Sequence, residues 1–276
     1  MKDFAGKLAL VTGAASGIGL ATALAFCDEG ARLALVDINA DGLTRAASEV
    51  QRRGGTAMTY TVDMRDSEQV SSLHERVTAE MGTPDVLMNA AGICVVAAVE
   101  DIPLEDWESL LSLNLLGYVY TIHYFIRDMY ARGGGQIVNV ASAAGLFSVP
   151  YQSPYVTSKF AVVGLSEALR QEARRHKVGV TAVCPGAIQT PIIKGSKRIG
   201  FTEGVQKVER IAATPQGLAR AIVNAVRKDK AIVAYPMYIR ELYRVKRFLP
   251  RVADHLGKAV ARIMYWQHHE DTCERS

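Results

Sequence analysis

At 276 residues, with 49% hydrophobic and 22% charged side chains, the chain is long enough for one large α/β domain or two small ones with a sizeable core. Its net charge of +4 is too small to mark a nucleic-acid binder. Its four cysteines (Cys27, Cys94, Cys184, Cys273) follow neither a CxxC nor a metal-ligand spacing, which argues against a disulfide framework and a metal site.

Those cysteines suit a reducing compartment, and Met1, Lys2, Asp3 and Phe4 lack the basic-then-apolar layout of a signal peptide, so a cytoplasmic protein is expected. Apolar runs recur at residues 7–11, 32–38, 57–62, 85–88, 136–140, 178–183 and 231–234. Several lack polar alternation, as strands covered on both faces do. Between them, residues 17–29, 43–53, 67–81 and 155–176 carry helical spacing. The alternation predicts an α/β fold: a single doubly wound parallel sheet of the Rossmann type, about seven strands with right-handed crossovers. Residues 8–27 are uncharged and long enough to span a bilayer. Thr12, Gly13, Ser16, Gly17 and Gly19 divide them instead into strand, loop and helix.

The first run leads straight into TGAASGIG at 12–19 and then an alanine-rich helix. Free backbone N–H groups and the helix dipole favour an anion there, and glycine lets the backbone approach a pyrophosphate. The spacing is GxxxGxG, not GxGxxG, and glycines alone also fit an ordinary tight turn. Asp37 closes the second run, about 20 residues beyond the loop, where a carboxylate binds adenosine ribose hydroxyls. Its other reading is a cap for the next helix. No Lys or Arg lies in the loop or just after Asp37 to neutralise a 2′-phosphate, so NAD is expected over NADP.

Tyr155 and Lys159 stand four residues apart, on one face of a predicted helix whose first turn suits Pro154. A tyrosine near pKa ~10 is a poor base at neutral pH. A lysine at ~4–5 Å with effective dielectric ~20 would supply the roughly 4 kcal/mol needed to bring it to about 7. Alone, this pair is common on helix surfaces.

With the loop, Asp37 and this pair in order, residues 5–236 resemble the short-chain dehydrogenase/reductase family. The resemblance implies a cofactor loop at 12–19, with Gly13, Ser16, Gly17, Ile18 and Gly19 as contacts. It makes Asp63 the adenine-binding acid and Asn89, Ala90 and Gly92 a motif that steadies the central strand and touches the cofactor. Pro185, Gly186, Ile188 and Thr190 would grip the nicotinamide. Asn114 would hold a water of the proton relay, Ser142 would orient the substrate oxygen, Tyr155 would act as general base or acid, and Lys159 would lower the tyrosine pKa and bind the nicotinamide ribose. The family also implies a homodimer or homotetramer through the helices after Pro103 and Pro154, with Leu115, Tyr118, Val119, Ile122, Phe125, Ala161, Val162, Leu165 and Leu169 as candidate contacts.

Substrate binding is assigned to Ser142, Tyr151 and Tyr155, with Cys94, Val95, Val96, Ala143, Ile192, Ile193 and Phe201 as further candidates for an apolar pocket. Lys194, Lys197 and Arg198 are read as a solvated lid face rather than an anion contact, and His268 and His269 as surface. Residues 1–238 are assigned to the dinucleotide-binding and catalytic domain, and 239–276 to its basic helical extension.

Residues 240–262 hold seven basic and two acidic side chains. Ile239, Leu242, Leu249, Val252, Leu256, Val260 and Ile263 make an apolar stripe beside that charge. Pro250 should break the helix. Packing on its own subunit or across a dimer, closing the pocket, is favoured for this segment over membrane-surface contact, which Tyr265 and Trp266 would suit, and over a loose tail.

The expected function is NAD(H)-linked hydride transfer on a bulky, apolar secondary alcohol or ketone. The alternatives are a 3-oxoacyl-thioester reductase and a non-catalytic NAD-binding regulator.

Overall fold

The computed structural model describes residues 1–201, 212–252, 254, 255, 257, 258 and 262, the side chains of Ile193 and Lys194 excepted. Seven strands build one parallel sheet: β1 (Leu8–Thr12), β2 (Arg32–Asp37), β3 (Ala57–Thr61), β4 (Val86–Asn89), β6 (Gly135–Val140), β7 (Val178–Pro185) and β9 (Ile232–Tyr235). Their order is β3-β2-β1-β4-β6-β7-β9. A two-stranded pair, β5 (Val95–Val96) with β8 (Lys197–Arg198), lies outside it. Every apolar run read from the sequence is a strand, with ends within two residues of those expected.

β1, β4 and β7 are buried along their whole length because helices cover both faces of the sheet. On one face pack α1 (Gly17–Asp28), α2 (Ala40–Arg52) and α8 (Pro215–Arg227), burying Phe26, Leu43, Leu218 and Ile222. On the other pack α3 (Ser67–Glu80), α5 (Gly117–Arg132) and α6 (Ser153–Ala173), burying Leu73, Phe125, Met129 and Leu169. Each such side chain contributes about 1.5–3 kcal/mol of burial. α2 starts ahead of its periodic pattern because Asn39 Oδ1 accepts from the Gly42 N–H at 2.9 Å and caps it.

α4 (Leu104–Leu111) runs into α5 through a π-helical turn at Ser112–Leu116. The joined run Leu104–Arg132 is long and apolar enough to cross a membrane by composition, but Tyr118, Ile122, Phe125 and Met129 are buried in the fold. Tyr118, Ile122, Phe125, Val162 and Leu169, expected as candidates for an interface between copies, thus belong to the subunit's own core.

α9 (Met237–Phe248) follows the last strand. The chain leaves helical geometry at Leu249 (φ −131°, ψ 62°) and is helical again from Pro250, since a proline ring disfavours the α conformation of the residue before it. Ile239 and Tyr243 pack with Leu146, Val162 and Cys184. Leu256, Val260, Ile263, Tyr265, Trp266, His268, His269 and Cys273 lie outside the described residues.

Candidate active site

The chain leaves β1 and β4 toward opposite edges of the sheet, so a crevice opens above their carboxyl ends. Thr12 Oγ1 ties the two ends together by accepting from Ala90 N–H (3.0 Å) and Ala91 N–H (3.3 Å). Gly13 has φ +67°, and a Cβ there would stand 2.8 Å from Ala91 N. A Cβ at Gly19 would run into the Gly13 carbonyl, and one at Gly17 would stand 3.3 Å from the Thr190 side chain. Ser16 is extended and makes no side-chain cap, which leaves the first N–H groups of α1 without that acceptor.

Asp37 Oδ2 accepts from Ala15 N–H in this loop at 3.0 Å, and its Oδ1 accepts from Asn39 N–H. The carboxylate therefore serves the glycine loop, while Asn39 is the helix cap. A cradle that side chains would fill, uncapped helix amides and a carboxylate at the end of β2 together fit a dinucleotide.

Asp63 follows β3 with its carboxylate gripped by Arg65 at 2.6 Å, a hydrogen-bonded guanidinium that holds it below the usual carboxylate range. Asn89 turns away from the crevice. Fully buried, it donates from Nδ2 to Asn139 Oδ1 (2.9 Å) and accepts from Thr121 Oγ1 (2.6 Å). Asn139 donates onward to Ser166 Oγ at 3.0 Å. Asn89 thus steadies β4 against β6, α5 and α6, and its neighbours Ala90 and Gly92 line a cavity of about 580 Å³. Ile18, Pro185, Gly186, Ile188 and Thr190 line the same cavity.

Ser142, Tyr155 and Lys159 line this cavity together. Lys159 is 3% exposed; its Nζ donates to the Val140 carbonyl at 2.9 Å and stands 5.4 Å from the Tyr118 ring centre and 5.6 Å from that of Tyr155. Burial pushes this ammonium down to about 8. Burial also pushes the Tyr155 phenol up, with the nearby Cys94 thiol adding to the effect and a hydrogen bond from Ser142 opposing it. The expected fall of the tyrosine toward neutrality through Lys159 is therefore not met, because loss of water outweighs the other influences. Cys94 and Cys184 are likewise pushed up to about 12 by burial, which keeps them protonated.

Asn114 sits in the π turn, a break in the regular helix ladder of the kind found at functional sites. Its Oδ1 accepts from Ile93 N–H at 2.9 Å, and its Nδ2 donates to the Ile93 carbonyl at 2.9 Å and to Ser158 Oγ at 3.3 Å. A Cβ on Gly92 would stand 3.0 Å from Asn114 Oδ1 and 3.7 Å from Lys159 Nζ, so glycine lets the two side chains converge.

Cys94, Val96, Ala143, Ile192 and Phe201 line the cavity as the sequence suggested. Val95 instead packs with Ala97, Ile102 and Leu110. Tyr151, with φ 61°, packs edge-on against Phe201 at 5.0 Å, and Phe201 is the ring that reaches the wall. The segment of α7 (Pro191–Gly195) and β8 carries the basic residues read as a solvated face. Lys197 pairs with Asp106 at 2.6 Å, but Arg198 lines the cavity, which corrects that reading. Lys194 and Ile193 have no described side chain. Sequence reasoning missed Phe147, Val149, Gln152 and Tyr238, which also line it. For the tail's share, Tyr238 and Ile239, the signal was the apolar stripe that begins at Ile239.

The family model described as short chain dehydrogenase matches residues 7–198. The chain belongs to the short-chain dehydrogenase family. The fold of that family binds a nicotinamide cofactor. Among its relatives, the oxidoreductase EphD of Mycobacterium tuberculosis is 38% identical over 262 residues; the match covers 90% of this chain, which spans only 44% of EphD's length. The oxidoreductase SadH of the same organism is 35% identical over 276 residues, covering 96% of this chain and 99% of SadH. A short-chain dehydrogenase/reductase from Burkholderia phymatum, solved with NAD, shares 26% identity at TM-score 0.83, covering 90% of this chain and 95% of that one. L-sorbose reductase from Gluconobacter frateurii, solved with NADPH and L-sorbose, shares 28% identity at TM-score 0.75, covering 84% and 95%.

Proposed function

We propose that this chain transfers hydride between NAD(H) and a bulky, largely apolar secondary alcohol or ketone of steroid-, retinoid- or lipid-like character. The observation that carries this reading is the cavity, in which Ser142, Tyr155 and Lys159 share the lining with Val96, Phe147, Val149, Ile192 and Phe201. A bound nicotinamide supplies or accepts the hydride. Ser142 hydrogen-bonds and orients the substrate oxygen. Tyr155 takes the alcohol proton at its Oη, or returns it in reduction. Lys159 keeps positive charge beside the phenol and binds the nicotinamide ribose. Asn114, brought against Lys159 across Gly92, links that ammonium to solvent through water.

Asp37 supports NAD over NADP. A 2′-phosphate carries about −1.5 to −2 charges, and each placed ~4 Å from a carboxylate at effective dielectric ~20 meets up to ~4 kcal/mol of repulsion. A second reading, a 3-oxoacyl-thioester reductase of lipid metabolism, draws on Arg198, a cation on the cavity wall that suits a phosphate or carboxylate of the substrate. A homodimer or homotetramer is part of the proposal. Leu116 and Phe160, each 39% exposed, are apolar side chains left outside the core near α5 and on α6.

The test is a screen of steroids, retinoids, long-chain alcohols and acyl thioesters with both cofactors, repeated on two variants. Tyr155→Phe should lower turnover by about 10²–10⁴-fold while NADH still binds. Activity within tenfold of wild type would remove Tyr155 from its role. Asp37→Ala should shrink a strong NAD preference, and equal kcat/KM for NAD and NADP in the wild type would refute the cofactor assignment. Tight NADH binding with no turnover of any substrate class would favour a regulatory NAD-binding protein instead.

A further inference from the structure

We propose that the outer face of α9 docks this enzyme on an anionic lipid surface beside its cavity. Spaced at about 100° per residue, the side chains of α9 fall into three arcs. The inward arc packs on the subunit: Ile239 is buried, and Lys246 Nζ donates to the Leu146 carbonyl at 2.7 Å and stands 4.9 Å from the Phe160 ring centre. The helix's one lysine is thereby spent inward.

A second arc is apolar and open to solvent. Tyr238 and Leu242 are 47% and 43% exposed, Met237 and Phe248 lie further round the helix beyond Glu241 at 69% and 75%, and Leu249 follows its end at 55%. Single exposed apolar residues are ordinary, but five within thirteen residues of one segment mark an interaction surface. The third arc is basic. Arg240, Arg244 and Arg247 are exposed, and Arg251 follows beyond the break at Leu249. Glu241 is the only acid of α9, and its carboxylate is held by Arg240 at 3.0 Å and Arg244 at 3.1 Å.

An apolar arc flanked by arginines is the pattern of a helix lying in the plane of a membrane interface. The surrounding stretch, residues 240–262, has seven basic side chains against two acidic ones. An anionic bilayer attracts that charge, whereas a second copy of the same face repels it, so lipid is the occupant the charge selects. Tyr238 joins this face to the chemistry, because it is both half-exposed and part of the cavity wall. An apolar substrate dissolved in the bilayer would enter past it. That route rests on the proposed substrate class; the docking does not.

The test sediments the full chain with phosphatidylcholine vesicles made with and without phosphatidylglycerol, at low and high salt. Binding is expected to the anionic vesicles, to fall with salt, and to be weak without phosphatidylglycerol. Replacing Arg240, Arg244 and Arg247 by Gln should weaken it by roughly a hundredfold, about fivefold per arginine. Phe248→Ser with Leu249→Ser should remove the part that survives high salt. Unchanged circular dichroism and cofactor binding in both variants separate docking from folding. Equal, weak sedimentation with both vesicles, or undiminished binding by the triple variant, overturns the proposal. So does concentration-dependent self-association abolished by the same substitutions, which would give the face to a second copy. The vesicles are read without substrate, so a failure of the proposed turnover would leave the result standing.

Discussion

Lys159 holds its ammonium against the Val140 carbonyl at 2.9 Å, 5.6 Å from the ring centre of a phenol that burial has pushed upward. Alcohol oxidation needs Tyr155 deprotonated, so its rate should climb about tenfold per pH unit through the neutral range. Reduction needs the phenol protonated and should be nearly flat there. Above about 8, where Lys159 loses its own proton, the phenol loses that support and the oxidation limb should flatten. Lys159→Met should move the limb upward by about two pH units, the equivalent of ~3 kcal/mol between charges ~5–6 Å apart at effective dielectric ~20. A pH–rate profile unchanged by this substitution would strip the lysine of its electrostatic part. Ser142, Tyr155 and Lys159 were legible in the sequence because two of them share one helix face and the third lies at the family's spacing. The direction of the tyrosine's shift was not, because desolvation depends on walls such as Val96 and Phe147 that lie elsewhere in the chain. Arg198 was misread as a solvated face and Tyr238 was missed for the same reason.

Among the elements, the strands were the easiest to read. An apolar run without alternation has no stable place except between two helical layers, and β1, β4 and β7 are buried end to end as a result. Helix starts were read less well where a side chain, such as Asn39, sets the boundary. α9 combines both cases, since its inward stripe was visible in the sequence but its position over the cavity was not. Gly186 makes that position available: a Cβ there would stand 2.9 Å from Ile239 Cδ1 and 3.1 Å from Tyr238 Oη. Ile239→Ala removes the one fully inserted side chain of the helix. Core truncations of this kind cost about 2–5 kcal/mol. Because α9 follows the last strand of the sheet, the loss should fall on its docking and not on global unfolding. Substrate KM is expected to rise several-fold while NADH affinity stays within twofold of wild type. An unchanged KM would mean that the wall formed by α9 does not touch the substrate.

At the scale of the whole molecule, one sheet places every part of the site above its carboxyl edge. Its two helical layers fix that edge from both sides, and the Asn89–Asn139–Ser166 chain of hydrogen bonds locks β4, β6 and α6 beneath it. Strand–helix alternation made this architecture plain from the sequence. α9 stands apart because it is held by Ile239, Tyr243 and the Lys246–Leu146 bond and pairs with no strand. Segments so held open locally at a lower free energy than the core. In native-state hydrogen exchange, its amides should therefore trade protons well before those of β7. A molecule that fills the cavity against Tyr238 and Ile239 binds only the closed arrangement, so it should slow that exchange in proportion to its occupancy. The peptide groups of residues 240–248 would then act as a built-in gauge of cavity filling, reporting a ligand before any reaction of that ligand has been found.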